Sequence, residues 1–270
     1  SGSVQITSIA SPRVSSIRKL QQRRHRDDRG VFVVEGYASV EAALAHGHVR
    51  ELWLTEAATA DHADLVELAQ KHRSLLIVMT EAVSVAVGRT QSPPGIIAVA
   101  DQVGISLQAL LLRAPRRLVI LHEVNDPGNA GTIVRTADAA GYDGVIFTAG
   151  SVDPMNEKCV RATAGSIFTM PVCVGGKLTE ISDALTQAEI SVLATDPLSH
   201  LLLGSAQVRQ LLSAPFAWLL GNEARGLEQS AVASAAATVA IPMPGNTESL
   251  NLAVAAGLCA LRLAAEARHL

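Results

Sequence analysis

Short uninterrupted apolar runs, each followed by a stretch of helical periodicity, recur along the whole chain and constrain its fold more than any other feature. Over the first hundred residues the runs fall at 31–34, 51–55, 75–79 and 96–100. Beyond them they fall at 118–121, 145–147, 192–194, 217–220 and 238–241. Helix-like stretches occupy 38–45, 61–72 and 132–140, and a long, nearly uncharged one covers 249–267. Apolar runs without polar alternation predict strands buried on both faces, which is the signature of a mostly parallel sheet covered by helices. Alternating strands and helices place the chain in the α/β class. Ser92-Pro93-Pro94-Gly95 breaks the pattern before the fourth run, and 106–117, with Pro115-Arg116-Arg117, reads as a linker. The expected division is a small α/β domain over 1–105 and a larger one over 118–270. Ligands of such sheets bind in the loops beyond the carboxyl ends of the strands, so function is to be sought there.

Hydrophobic residues make up 49% of the 270 and charged residues 17%, enough to bury a core and to exclude wholesale disorder. The longest uncharged run, 229–247, carries Ser230, Ser234 and Thr238 and ends on Pro242 and Pro244, so it cannot span a membrane, and no membrane partner is expected. Ser1-Gly2-Ser3-Val4 has no basic-then-apolar signal pattern and reads as a cloning remnant. Cys159, Cys173 and Cys259 form no CxxC pair, which points to a reducing, cytoplasmic setting. No histidine sits in an HExxH pattern, and no metal is expected. The net charge of −3 is uneven: from Arg13 to Arg29, seven basic residues face two aspartates, a local +5 that leaves −8 for the rest. The stripe of Arg13, Arg18, Lys19, Arg23, Arg24 and Arg26 suits phosphate contacts of a nucleic acid, or equally a solvated helix. With only 3% aromatic residues, stacking on bases is not expected to dominate.

Three loops depart from ordinary turn chemistry. The first is Asn125-Asp126-Pro127-Gly128-Asn129-Ala130-Gly131, opening a helix that carries Arg135 in its second turn. Its glycines permit close backbone approach, and a helix start offers free N–H groups. No GxGxxG or GxxxxGK[ST] pattern is present, which disfavours a nicotinamide or nucleoside-triphosphate site. The second, Gly221-Asn222-Glu223-Ala224-Arg225-Gly226-Leu227, follows an apolar run directly, and its carboxylate is either an orienting group for a cation or a helix cap. The third runs from Ile241-Pro242-Met243 to Ser249-Leu250-Asn251. Helix capping accounts for Ser249 but leaves Asn251 expected in another role.

In this order, Asn129-Ala130-Gly131-Thr132-Ile133-Val134-Arg135-Thr136-Ala137, Leu220-Gly221-Asn222-Glu223-Ala224-Arg225-Gly226-Leu227 and Ile241-Pro242-Met243 with Ser249-Leu250-Asn251 resemble the signature motifs of the SpoU (TrmH-like) RNA ribose 2′-O-methyltransferases of the SPOUT superfamily. Val160 to Phe168, followed by Pro171, looks like the family's segment between its first two motifs. The resemblance covers 118 to the C-terminus. Ser11-Pro12-Arg13-Val14 and Phe32-Val33-Val34-Glu35-Gly36 are similar to the ribosomal-L30e-like substrate-binding domain often fused to such enzymes.

The resemblance implies a deep trefoil knot in the C-terminal domain and S-adenosylmethionine as cofactor, held at Gly221, Ile241 and Leu250 with Asn222 and Met243 adjacent and Thr195 at the edge. It further implies a homodimer through the C-terminal domain and RNA as substrate, most of all 23S ribosomal RNA. Arg135 is the implied catalytic residue. Because a guanidinium stays protonated, the expectation is that it binds the phosphate and hydroxyl and favours the alkoxide electrostatically. Glu223 is expected to orient Arg135, with Asn129, Ser249 and Asn251 fixing the ribose and the first loop. A tRNA enzyme, a ribosomal-RNA resistance methylase, a non-catalytic RNA-binding relative and, more distantly, a nicotinamide-dependent oxidoreductase are the competing readings.

Overall fold

The computed structural model describes residues 2–90 and 94–267, the last seven by backbone alone, so Ser1 and the Ser92-Pro93 half of the expected break lie outside the described residues. The chain forms two compact units. One comprises the chain up to Val103 together with Met155–Thr169; the other comprises Gly104–Pro154 and the chain from Met170 onward. Among the described residues no helix is long and apolar enough to cross a membrane.

In the first unit, β1 (Val4–Ile6), β2 (Val31–Glu35), β3 (Val49–Thr55), β4 (Leu75–Met79) and β5 (Ile96–Asp101) form one sheet in the order β1-β4-β3-β5-β2. β1 and β3 flank β4 in parallel, whereas β5 runs antiparallel to both β3 and β2. Val4 is therefore a sheet residue, in register with Ile77. The helix expected over 61–72 is Ala63–Lys71, and a separate short helix, Glu56–Asp61, precedes it. The short helix begins as soon as β3 ends, because the Thr55 hydroxyl accepts from the Ala58 N–H at 3.2 Å. Val14, Ile17 and Leu20 from the N-terminal helices pack with Val31, Trp53 and Ile77 in this unit's core. The segment Met155–Thr169 completes it: the Phe168 ring stacks on Phe32 with centroids 5.7 Å apart, and Glu157 accepts from the half-buried Arg89 Nε at 2.6 Å.

The second unit holds β6 (Arg117–Leu121), β7 (Gly144–Phe147), β8 (Val172–Val174), β9 (Ser191–Thr195), β10 (Phe216–Leu220) and β11 (Ala237–Val239), in the order β11-β9-β10-β6-β7-β8. Every adjacent pair is parallel. All five residues of β10 are buried, as a sheet covered on both faces requires. Leu118, Ile120, Ile146, Leu193's neighbours Val192 and Ala194, and Leu219 build the core with Ile181 and Leu185 of the helix Leu178–Gln187. The stretch 106–117, expected as a linker, contains the helix Leu107–Leu112, capped by Ser106, with Leu110 fully buried in this core.

Candidate active site

Register places the site. Leu121 at the end of β6 lies opposite Leu220 at the end of β10, Leu219 pairs with Ala194, and Thr195 at the end of β9 pairs with Val239 of β11. Four neighbouring parallel strands thus end level, and the loops that follow them emerge side by side at the carboxyl edge, where sheets of this class bind ligands.

The first loop is shorter than its glycines suggest. The helix begins at Pro127 and runs to Ala139, so Gly128, Asn129 and Gly131 are helical. Asp126 is the N-cap, its carboxylate accepting from the Asn129 N–H at 2.8 Å, and Pro127 takes the first helical position, where a missing N–H costs nothing. Ala130, Gly131, Ile133, Val134 and Ala137 turn inward, which leaves Arg135 on the exposed face. Its guanidinium has no hydrogen bond or ion pair with any of the described residues.

The second loop folds back on itself. Asn222 and Gly226 exchange backbone hydrogen bonds at 3.1 and 2.9 Å, and the Asn222 side-chain oxygen accepts from Ala224 and Arg225 N–H at 2.9 and 3.0 Å. Its amide donates to the Glu123 carbonyl at 2.8 Å, so the Asn222 side chain is consumed in building the turn. Gly226 sits at φ +65°, a conformation glycine adopts without strain. Gly221 is required by space: a Cβ there would lie 2.5 Å from the Gly226 carbonyl carbon. Glu223 does not reach Arg135. Its two carboxylate oxygens accept from the backbone N–H groups of Asp126 (2.8 Å) and Asn125 (3.2 Å), tying the second loop to the first.

Two further contacts, not anticipated from sequence, reinforce that seam. Arg225 pairs with Glu123 at 3.3 Å, and the buried His122 bridges Thr148 Oγ1 (Nδ1, 3.0 Å) and Glu228 Oε1 (Nε2, 2.7 Å). The bond to His122 holds the Glu228 carboxyl below its usual value. The available signal was positional: His122 and Glu123 are the first polar residues after an apolar strand. His122, Glu123 and Glu228 bring three metal-capable atoms within 4.8 Å of one another, the one such group among the described residues. Each already has a proton-sharing or ionic partner, which accounts for the cluster without an ion.

In the third loop the expected roles are exchanged. The last helix starts at Leu252, not at 249, and Asn251 is its cap, with Oδ1 accepting from Ala253 N–H (2.9 Å) and Val254 N–H (3.3 Å). Asparagine caps as well as serine does because its short side chain reaches the free amides of the first turn. Its remaining donor reaches Asn129 Oδ1 at 3.3 Å, joining the third loop to the first. Ser249 is exposed and precedes the helix, offering its carbonyl to the Thr247 hydroxyl at 3.1 Å.

Between the second and third loops lies a cavity of about 430 Å³, within the range of small-ligand and cofactor sites. Thr195, Gly221, Asn222, Ile241, Met243 and Leu250 all line it, together with Glu223 and Ser249; Arg135, Asn129 and Asn251 do not. Asp196 and Leu252, also in its wall, were not anticipated.

Residues 116–261 match the SpoU rRNA Methylase family. The chain belongs to that family. Residues 11–98 match the MRM3-like substrate binding domain. Over 261 residues this SpoU-family chain is 32% identical to the 23S rRNA (guanosine(2553)-2′-O)-methyltransferase RlmP of Bacillus subtilis, spanning 96% of the chain and 98% of RlmP. It is 29% identical over 242 residues to the 23S rRNA (uridine(2479)-2′-O)-methyltransferase of Streptomyces viridochromogenes, covering 88% and 83% of the two chains. The crystal structure of an AdoMet-bound rRNA methyltransferase from Sinorhizobium meliloti superposes with a TM-score of 0.80 at 30% identity, covering 98% of each chain.

Proposed function

We propose that the protein transfers a methyl group from S-adenosylmethionine to a ribose 2′-hydroxyl of RNA, with 23S ribosomal RNA as the substrate. The observation that carries this reading is the cavity at the carboxyl edge, where all six residues expected to hold the cofactor converge in one wall. Its chemistry fits: Ile241, Met243 and Leu250 offer apolar surface to a purine or thioether, and Gly221 lets the backbone come close. The relatives that span nearly the whole chain are named as 23S rRNA 2′-O-methyltransferases, and the Sinorhizobium protein binds AdoMet.

When bound, the cofactor supplies an electrophilic sulfonium methyl. The remaining difficulty is the 2′-hydroxyl, a poor nucleophile until its proton leaves. Arg135, exposed and unpaired among the described residues, is free to bind the adjacent phosphate and to stabilise the alkoxide as charge develops. Glu223 acts by shaping the first loop rather than by orienting Arg135, and Asn251, linked to Asn129, aligns the third loop with the start of the helix that carries Arg135. Ser249, in the cavity wall, completes the ribose contacts.

The SpoU domain begins near residue 118, and the first unit serves as the RNA substrate-binding domain, exposing Arg13, Arg18, Lys19, Arg23 and Arg24. Arg26 drops out of that set: it is 3% exposed and donates to the Leu20 and Gln21 carbonyls at 3.0 and 2.9 Å. The final helix leaves Val254 and Leu258 exposed, an apolar pair at i, i+4 spacing that a second copy would cover in a homodimer. Strand β11 at the sheet edge, with the last helix returning to pack Gly257 near Thr136, supports the knotted threading implied by the motifs. The site of action is the cytoplasm. Mapping ribose methylation of 23S rRNA from cells with and without the gene tests the reading. One methylated position should vanish with the gene and return with the wild-type protein, and an unchanged map would overturn it.

A further inference from the structure

Resting on the reading that this chain acts on RNA, we propose that the first unit carries a preformed seat for a backbone phosphate between its two N-terminal helices, made by Ser15, Ser16, Lys19, His25 and Arg29. Four of these five residues lie outside the stripe that the sequence singles out, and two stripe residues that the sequence favours, Arg23 and Arg24, lie outside the seat.

The helices Pro12–Lys19 and Arg23–Arg29 enclose a groove of about 390 Å³ lined by Pro12 and the five seat residues. The groove is fixed before any ligand arrives. Val14, Ile17 and Leu20 anchor the first helix in the core. The buried Arg26 guanidinium bonds the Leu20 and Gln21 carbonyls and so pins the turn between the helices. Arg29 donates from Nη1 to the Ser16 carbonyl at 3.0 Å, which holds its guanidinium across the groove. A seat built this way loses little side-chain freedom on binding.

Charge compensation separates the seat from Arg13, Arg23 and Arg24. Arg13 pairs with Glu51 at 2.9 Å, Arg23 with Asp27 at 3.6 Å and Arg24 with Asp28 at 3.8 Å. Lys19, His25 and Arg29 have no carboxylate partner among the described residues. Arg18 is likewise without a carboxylate partner among the described residues and lies outside the groove, so Lys19 and Arg29 place most, not all, of the uncompensated charge of this region in the groove. Two serine hydroxyls stand beside the cations as neutral donors, and a tetrahedral anion with several acceptor oxygens matches that donor set. The adjoining crevice of about 100 Å³, which shares Ser16 and Arg29, contains Glu51 already paired with Arg13, and so offers an anion less than the groove does. No Phe, Tyr or Trp lines the groove, and the His25 ring is its one aromatic group. Its chemistry selects a phosphodiester of the RNA backbone without reading sequence, a contact that positions and does not specify.

The test uses the full-length protein and a transcript of the 23S rRNA region methylated in the mapping experiment. Binding is measured over a salt series for wild type, Lys19→Ala/Arg29→Ala and Arg23→Ala/Arg24→Ala. Losing the one phosphate contact that Lys19 and Arg29 share lowers the slope of log K against log salt by about 0.7 to 0.9. The seat variant should show that drop with cofactor binding intact, and the Arg23/Arg24 variant a smaller one. Inorganic phosphate, compared with chloride at equal ionic strength, should weaken RNA binding by wild type and not by the seat variant. An unchanged slope for Lys19→Ala/Arg29→Ala in a protein whose wild type methylates the transcript overturns the seat alone. Saturation by inorganic phosphate with no effect on RNA affinity assigns the groove to the free ion and overturns it too. A wild type that binds no RNA removes the proposed function, and the seat with it.

Discussion

Replacing Gly221 with alanine probes the cavity with a single methyl group. The added carbon would lie 2.5 Å from the Gly226 carbonyl carbon, 2.6 Å from its oxygen and 2.7 Å from the Leu227 nitrogen. Carbon atoms in contact sit about 3.5–4.0 Å apart, so the overlap is about 1 Å. The obstacle is backbone, which cannot swing aside as a side chain would. Relief requires the turn to open, and the turn is closed by the two backbone bonds between Asn222 and Gly226. Overpacking of this kind costs about 1–3 kcal/mol. Because the turn is itself a cavity wall, the cost falls on cofactor binding: roughly 5- to 150-fold weaker affinity at about 1.4 kcal/mol per tenfold. The core strands are untouched, so the melting temperature should fall by only a few degrees. Isothermal titration with S-adenosylmethionine, run beside a thermal melt, separates the two effects. A folded Gly221→Ala protein that binds the cofactor like wild type would refute the assignment of this turn to the cofactor wall.

Arg135→Ala should leave cofactor affinity intact and lower methyl transfer by about two orders of magnitude, the scale for losing one charge-stabilising donor; single-turnover transfer at saturating cofactor measures it, and near-normal transfer removes Arg135 from the reaction. Asn251→Ala should destabilise the protein by about 1 kcal/mol in chemical denaturation, whereas Ser249→Ala should not, and the reverse ranking would restore Ser249 as the cap. Bonding to His122 holds the Glu228 carboxyl below its usual value, so its deprotonated form favours the folded state. That stabilisation is present above the ordinary carboxylate range and is lost as pH falls through and below it. Between neutral pH and about pH 4, wild type should lose more melting temperature than His122→Ala, and equal losses would dissolve the link.

What the sequence made legible is what backbone burial enforces. A parallel strand covered on both faces has to be apolar throughout, so the runs at 118–121 and 217–220 announce β6 and β10 almost to the residue. Of the three-residue strands, β11 lies under the run at 238–241, whereas β1 and β8 carry too little pattern for a run to mark them. The spacing of Leu178, Ile181 and Leu185 does mark the helix that packs under β9, a periodicity overshadowed by the loop motifs around it. Site positions were legible as residue types in order; their hydrogen-bond partners were not. Glu223 could equally bind a cation or backbone amides, and the choice depends on how far β6 and β10 bring their loops together. Arg26 lies in the same short charged helix as Arg23 and Arg24, and only the tertiary packing of that helix decides which of the three is buried.

Residues 155–169 leave the second sheet after β7, supply Phe168 and Glu157 to the first unit, and return to form β8. The polypeptide therefore visits the first unit twice. A fragment ending near residue 103 would expose the Phe32 ring and leave Arg89 and Glu35 without the side chains that neutralise them, Glu157 and Arg161. Swapping substrate-recognition modules between such enzymes by a single splice would thus produce a graft with a missing piece, and a faithful exchange has to carry both stretches of sequence together.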